Sequence, residues 1–429
     1  MKTFRLLTIC LLAIVGTTSY AQQQVKLTKT ATLKDSLIKF EFGGFIRHDA
    51  MFDTRQTVDV REAAVVLWAK DENLDPNGTD LNDATQFQML AILSRAGVRI
   101  TAPSVLGAKT RGYLEGDFFG NAEGGINEFR LRHAWITLDW KNTQLGLGQY
   151  WHPFTIPELF PLTVNFSGGA PYMPYNRNPQ IRLTQKLGKF NVIAAAVSQR
   201  DFTSNTEPYI LASVPSGHLQ VNYKTKKLIL GVAGHYEHIR PKLSSGDLNM
   251  YSNERVNSLS GLAYVRLNTK PVTVRAQAFY GQNAASFVML GGYVGYTLPN
   301  EIETYSTMNT EAYWIDLTAN TKKIVPGLFV GYSKNNGATD PVEEDGVVAE
   351  SYGLTSLVGG IGAGDGARTI NHIYRIAPRV DFPVKNIKFR TEVEYSLAQW
   401  GDADLSGIAQ QNKFDAENWR FIFATVFTF

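Results

Sequence analysis

The 429 residues contain a single cysteine, Cys10, and it lies in an apolar stretch near the start of the chain. No thiol follows it, which excludes disulfide pairing, thiolate nucleophiles and cysteine metal cages. A charge excess of either sign is also lacking. Lys and Arg number 42 against 39 Asp and Glu, so the global balance gives no reason to expect nucleic acid as a partner. Long apolar runs are absent past residue 21. No stretch there approaches the roughly 20 residues that a membrane-spanning helix requires.

The opening segment reads as a secretory signal peptide. Lys2 and Arg5 form a positive region, Leu6 to Val15 an apolar core, and Ser19-Tyr20-Ala21 a cleavage site before Gln22. The apolar core is too short to span a bilayer, and Cys10 lacks the small residues that would precede a lipidated cysteine. Removal of residues 1–21 leaves 40 basic and 39 acidic residues. Residues 22–39 form a short polar lead-in, and residues 40–429 form the main domain.

Gly, Tyr and Phe are abundant, and the chain ends on an aromatic strand. In residues 419–429, Trp419, Phe421, Phe423, Phe427 and Phe429 share one face, interrupted by Thr425. Alternate side chains of a strand in lipid face hydrocarbon, so this row suits a barrel wall. The terminal Phe429 also suits the signal that outer-membrane assembly reads. Backbone polar groups in lipid must pair within the protein, which leaves a closed barrel as the spanning architecture.

The same alternation recurs upstream. Segments 90–101 and 110–119 are joined at Ala102-Pro103-Ser104, 128–139 and 144–150 at Lys141-Asn142, and 181–186 and 190–198 at Gly188. Segments 218–223 and 228–236, 258–267 and 272–280, 311–319 and 327–332, and 372–380 and 387–397 form four more pairs, the last turning at Phe382-Pro383. Longer loops cover 54–87, 120–127, 151–179, 200–217, 239–257, 281–310, 333–371 and 399–418. With a first and a last strand the count is sixteen. The expectation is an all-β, antiparallel transmembrane barrel with short periplasmic turns, long outer loops and an aqueous lumen.

Strand parity assigns the faces. Leu90, Ile92, Ala96, Val98 and Ile100 are expected outward, as are Phe129, Leu131 and Trp135. Arg47, Arg95, Arg99, Arg130, Arg132, Arg182, Arg266, Arg275, Arg375, Arg379, Lys388 and Arg390 then point inward, with Asp49, Glu115, Asp117, Glu392 and Glu394. Opposed charges can brace a wall. An excess of arginine also offers planar forks that pair with carboxylate or phosphate, an electropositive path for anions.

Loop 151–179 is too rich in aromatics and proline for a floppy outer loop. It is expected to fold inward and narrow the lumen, with Glu158, Asn165, Tyr175 and Arg177 at the constriction; packing at a subunit interface is the competing reading. The run Gly359–Gly366 lacks the flanking strand, Lys-Ser/Thr and helix of a phosphate cradle. His235 and His238 fall on opposite faces, which gives no metal site. Ser167 and His152 lack a third orienting group, so no enzyme activity is expected and no cofactor is implied.

Three segments carry a family likeness: Gly112-Tyr113-Leu114-Glu115-Gly116-Asp117-Phe118-Phe119-Gly120, Phe129-Arg130-Leu131-Arg132-His133-Ala134 and Gly146-Leu147-Gly148-Gln149-Tyr150-Trp151. With residues 44–53 and 94–98, they make the chain resemble the DcaP-like trimeric porins over about residues 40–178. The resemblance implies a sixteen-stranded barrel, a homotrimer in the outer membrane of a Gram-negative bacterium, and uptake of small anionic solutes such as dicarboxylates. Arg95, Arg99, Arg130 and Arg132 fall on the matching segments. The expected function is passive diffusion of small hydrophilic solutes with a tilt toward anions. A structural or adhesive surface barrel with an occluded lumen is the alternative.

Overall fold

The computed structural model describes residues 27–32, 38–198, 207–246, 248–353 and 367–429. The signal peptide with Cys10, most of the polar lead-in and the Gly359–Gly366 run lie outside them. The described residues form the expected sixteen strands: β1 (Lys39–Asp53), β2 (Arg95–Val105), β3 (Ala108–Asp117), β4 (Arg130–Asp139), β5 (Thr143–Trp151), β6 (Arg177–Leu187), β7 (Phe190–Val197) and β8 (Ser216–Lys224). There follow β9 (Leu228–Ile239), β10 (Val256–Asn268), β11 (Val272–Gln282), β12 (Glu303–Ala319), β13 (Val325–Ala338), β14 (Arg368–Val384), β15 (Ile387–Ala403) and β16 (Ala409–Thr428). Each pairs antiparallel with the next, and β1 pairs with β16, from Phe45 opposite Thr428 to Asp53 opposite Arg420. The sheet closes on itself as a barrel. Below that seam, Leu27–Thr32 pairs with Lys39–Gly43 of β1 and continues the wall past the end of β16.

The outer surface carries the apolar band that lipid demands. Trp419, Phe421, Phe423, Phe427 and Phe429 are all exposed on β16, between 37% and 48%, while Ile422, Ala424 and Val426 between them are buried inside. Leu230 and Val232 on β9 and Leu259 and Leu267 on β10 extend the band. Strand ends depart from the sequence reading at places where proline or polarity masked them. β2 runs through Pro103 to a turn at Leu106-Gly107, both in the left-handed region (φ 51° and 74°) that a two-residue hairpin favours. β14 likewise runs through Pro383 and turns at Lys385-Asn386.

The expected loop 399–418 is mostly strand. β15 and β16 continue to Ala403 and from Ala409, above the roughly 9–11 residues that cross a bilayer. Up there the outward positions, Lys413, Asp415 and Glu417 among them, are polar and exposed, so the apolar alternation fades although Trp400, Ala403 and Ala416 stay buried inside and the ladder persists. Asp404 makes the tight turn: its Oδ1 accepts from Ser406 N at 2.9 Å, Ser406 Oγ at 2.6 Å and Ile408 N at 3.0 Å.

Two phase slips correct the assigned faces. Ahead of β2, Gln86–Leu90 pairs with the upper half of β1, and Phe87 and Met89 face out. Leu90 and Ile92 therefore point inward and are buried, because the ladder breaks at Ala91–Ser94 before β2 resumes the opposite phase. In β4 a bulge sets Glu115 opposite His133 but Gly116 opposite Leu131. The extra residue turns Arg132 and His133 both inward, and Trp135 follows them to stack on Tyr150 at 5.3 Å.

Candidate functional site

The main apolar core of this protein lies inside the barrel, where two chain segments fill the lumen. The third loop leaves β5 at Trp151 and rejoins the wall at Arg177 of β6. At its neck His152 N donates to Asn176 O at 2.9 Å and Thr155 Oγ1 to Pro174 O at 3.1 Å. It then crosses to the far wall. Val164 N and Asn165 N donate to the two carboxylate oxygens of Glu392 at 2.7 and 2.9 Å, and Asn165 Nδ2 donates to Glu394 at 2.7 Å. Arg390 donates to Leu162 O at 2.7 Å, Arg47 to Val164 O at 2.6 Å and Arg375 to Ala170 O at 3.2 Å. A loop carries backbone groups that water normally satisfies; here charged side chains of β1, β14 and β15 take that role. Phe154, Leu159, Phe160 and Met173 are fully buried along this path. The expectation of an inward fold holds.

The second segment was not foreseen. Within the first loop, Thr57–Val60 and Val65–Ala69 form a hairpin inside the barrel. Its tip, Arg61-Glu62-Ala63, has three consecutive left-handed residues (φ 53° to 60°). Arg420 donates to Ala63 O at 2.5 Å, and Arg61 pairs with Glu123 at 2.8 Å. Ser167 Oγ of the third loop donates to Val66 O at 2.7 Å, and Trp400 Nε1 to Ala69 O at 3.1 Å. The signal was present in the sequence: Ala63–Ala69 is continuously apolar, which an outer loop has no use for.

The inward arginines are mostly spoken for. Arg47 pairs with Asp49 at 2.5 Å, Arg130 with Asp117 at 2.8 Å, and Arg132 with Glu115 at 2.8 Å and Asp117 at 3.0 Å. Arg95 lies 3.7 Å from Glu115. Arg375 meets Glu394 at 3.2 Å and Arg379 meets Asp316 at 2.7 Å. All are buried. A buried, paired guanidinium has its charge cancelled locally and works as a brace, since its neighbour and not the lumen takes its field.

The four constriction residues do not form one ring. Asn165 is part of the clasp on β15. Tyr175 and Arg177 sit at the loop's root against Trp151, at 5.3 and 5.1 Å. Glu158 reaches down the lumen to Lys224, near the turn after β8, at 2.6 Å. Burial pushes the Glu158 carboxyl up, but Lys224 more than offsets this and holds it below the usual range. Ser167 is engaged with Val66 and Asn165, away from His152.

Beneath the third loop a periplasmic vestibule keeps its charges in water. Arg99, over the Tyr113 ring at 5.6 Å, is exposed, as are Lys109, Arg111, Lys186 and Lys224. Arg182, Arg266 and Lys388 are half-buried there. Arg182 donates to Gln180 Oε1 at 2.9 Å and to Trp151 O, and Arg266 donates to Glu158 O at 3.2 Å. The acids of this zone are Glu41, Asp139, Glu158 and Asp381, and cations outnumber them. Lys109, Arg111, Lys186 and Lys224 are not among the expected lining residues, although strand parity alone turns them inward.

No protein-family profile matches the chain, and no curated protein matches it. Solved structures do. The outer-membrane channel DcaP of Acinetobacter baumannii superposes with a TM-score of 0.66 at 18% identity, over 94% of this chain and 100% of that one. OmpT of Vibrio cholerae superposes at 0.51 with 12% identity, over 92% and 99%. The anion-selective porin from Comamonas acidovorans superposes at 0.52 with 10% identity, over 91% and 100%. The class is thereby defined: a closed sixteen-stranded outer-membrane barrel. Within it the architecture is that of the DcaP-like porins, and such a barrel resides in the outer membrane of a Gram-negative bacterium.

Proposed function

We propose that this protein is a porin: a passive, narrow channel for small hydrophilic solutes that favours anions, dicarboxylates among them. The observation that carries the reading is the vestibule below the third loop, where exposed Arg99, Lys109, Arg111, Lys186 and Lys224 outnumber the acids. Charge facing water in a low-dielectric wall focuses a field on passing ions, as Arg99, Lys109 and Lys186 do here, whereas Lys224 and Arg111 are partly answered by Glu158 at 2.6 Å and Asp139 at 3.4 Å. The anion-selective Comamonas porin shares the fold, which supports the same direction. The protein is proposed to act without enzymatic chemistry, as a homotrimer, after export removes residues 1–21 and leaves 22–39 as a periplasmic lead-in.

Purified protein in a planar bilayer tests this. A reversal potential of anion sign under a KCl gradient is expected, weakened in Arg99→Ala/Lys186→Ala/Arg266→Ala. Cation preference would overturn the selectivity argument. The second reading, a structural or adhesive barrel with an occluded lumen, is favoured by the two segments that fill the interior. A pure, folded protein that never conducts would establish it in place of the porin.

A further inference from the structure

Three histidines that are far apart in sequence meet at one point inside the wall. His152 opens the third loop, His218 lies on β8 and His235 on β9. Their ring centroids are 4.7 Å (His152 to His235), 5.8 Å (His218 to His235) and 5.9 Å (His152 to His218) apart. All three are buried, at 0%, 5% and 2% exposure. Phe154 of the third loop and Phe287 of the sixth loop close over them, within 5.1 to 5.7 Å of the rings they touch.

The hydrogen bonds fix the protons. His152 Nδ1 accepts from Phe154 N at 3.1 Å, so neutral His152 carries its proton on Nε2, and that atom has no hydrogen-bond partner. His218 Nε2 faces Gln220 Oε1 at 3.4 Å, and its buried Nδ1 is likewise unpartnered. Among the described residues no group of three or more His, Cys, Asp or Glu side chains is arranged to hold a metal ion.

We propose that this cluster is an acid-sensitive latch on the lumen. Neutral, the rings pack together and hold the root of the third loop and the turn Ala284–Phe287 of the sixth loop against β8 and β9. Charged, His152 and His218 repel each other among apolar rings, and both segments let go. The same corner joins the two loops directly: Tyr175 N donates to Phe287 O at 2.9 Å, and Asn176 Nδ2 donates to Ser286 O. Two other charged groups face the cluster. Glu237 of β9 lies 3.7 Å from His235 Nε2 and accepts from Asn283 and Ser286 at 3.1 and 3.0 Å; Arg182 of β6 acts from the far side.

Burial first, then the neighbouring His235, His218 and Arg182, push His152 well below the ordinary histidine value. The sign follows: the closed state binds fewer protons than the released one, so its advantage is intact above about 6.5 and shrinks as pH falls below that.

The test is hydrogen exchange of the third loop, together with single-channel conductance, on full-length protein between pH 8 and 4.5. Exchange at residues 152–156 and 284–288 should accelerate, and conductance should rise, with a midpoint below about 6.5. His152→Phe/His218→Phe should abolish both changes. His152→Gln serves if that variant fails to fold. Exchange that is flat with pH, or an acid response that survives in the His152 variants, would overturn the latch. A silent channel whose exchange still responds leaves the latch standing and counts against the porin reading alone.

Discussion

Glu392 is where the third loop depends most on a single side chain. Its two oxygens accept Val164 N and Asn165 N at 2.7 and 2.9 Å in a buried setting. In Glu392→Ala both buried N–H groups lose their acceptor. Each orphaned buried donor costs about 1–3 kcal/mol, so the clasp weakens by roughly 2–6 kcal/mol. At tenfold per 1.4 kcal/mol, the detached form gains a factor of about 30 to 10⁴ relative to the docked one. Arg390 and Arg47 still hold Leu162 O and Val164 O, so the loop frays at its crossing point and stays inside. Single-channel recording should show a higher mean conductance with added flicker, and amide exchange at Val164 and Asn165 should accelerate. The ladder of β15 does not use this carboxylate, so heat-modifiable mobility of the barrel should be unchanged. Conductance and exchange both equal to wild type would refute the clasp.

Three further outcomes are expected. In Gly331→Ala the new Cβ would lie 2.6 Å from Cγ of Tyr172, forcing the third loop off β13; overpacking of this kind costs about 1–3 kcal/mol and should lower the thermal midpoint. Asp404→Ala removes the acceptor that shapes the β15–β16 turn, and added protease should cut there first. Burial raises the Asp404 carboxyl, but bonds from Ser406, Ile408 and Gln410 outweigh it and hold it below the usual range. Its contribution is thus full above about 3.9 and is lost as pH falls further, so wild-type turn protection should fade in strong acid. Deletion of Phe429 removes the paired bonds between Phe429 and Gly44, at 3.1 and 3.2 Å, that finish the seam; the fraction of chains inserted as folded barrel should drop.

The wall was legible because lipid imposes a strict period on it: residues 419–429 place Trp419, Phe421 and Phe423 outside by parity alone. The interior was legible only where a loop looked wrong for water, as with residues 151–179. The hairpin Thr57–Ala69 escaped because Val65-Val66-Leu67-Trp68-Ala69 has no period, being buried on both faces within the lumen. The histidine cluster escaped for another reason. Local spacing sets His235 only against His238, its neighbour in sequence, whereas His152 and His218 arrive through other elements that no local spacing reports. Pairing likewise lay beyond strand parity: parity turns Arg132 inward without revealing that Glu115 and Asp117 absorb its charge.

The filled lumen has a consequence for the order in which the molecule is made. The hairpin at Thr57–Ala69 is held by Trp400 of β15 and Arg420 of β16, whose contacts with it span 331 and 357 residues of chain. The third loop waits likewise for Arg375, Arg390 and Glu392, more than 200 residues downstream. Contacts of such sequence separation form late and slowly. Both inner segments must therefore be carried unsatisfied until the final hairpin arrives, and the closing of β1 against β16 becomes the step that seals them in. For this chain, inserting the wall and furnishing the interior are a single event.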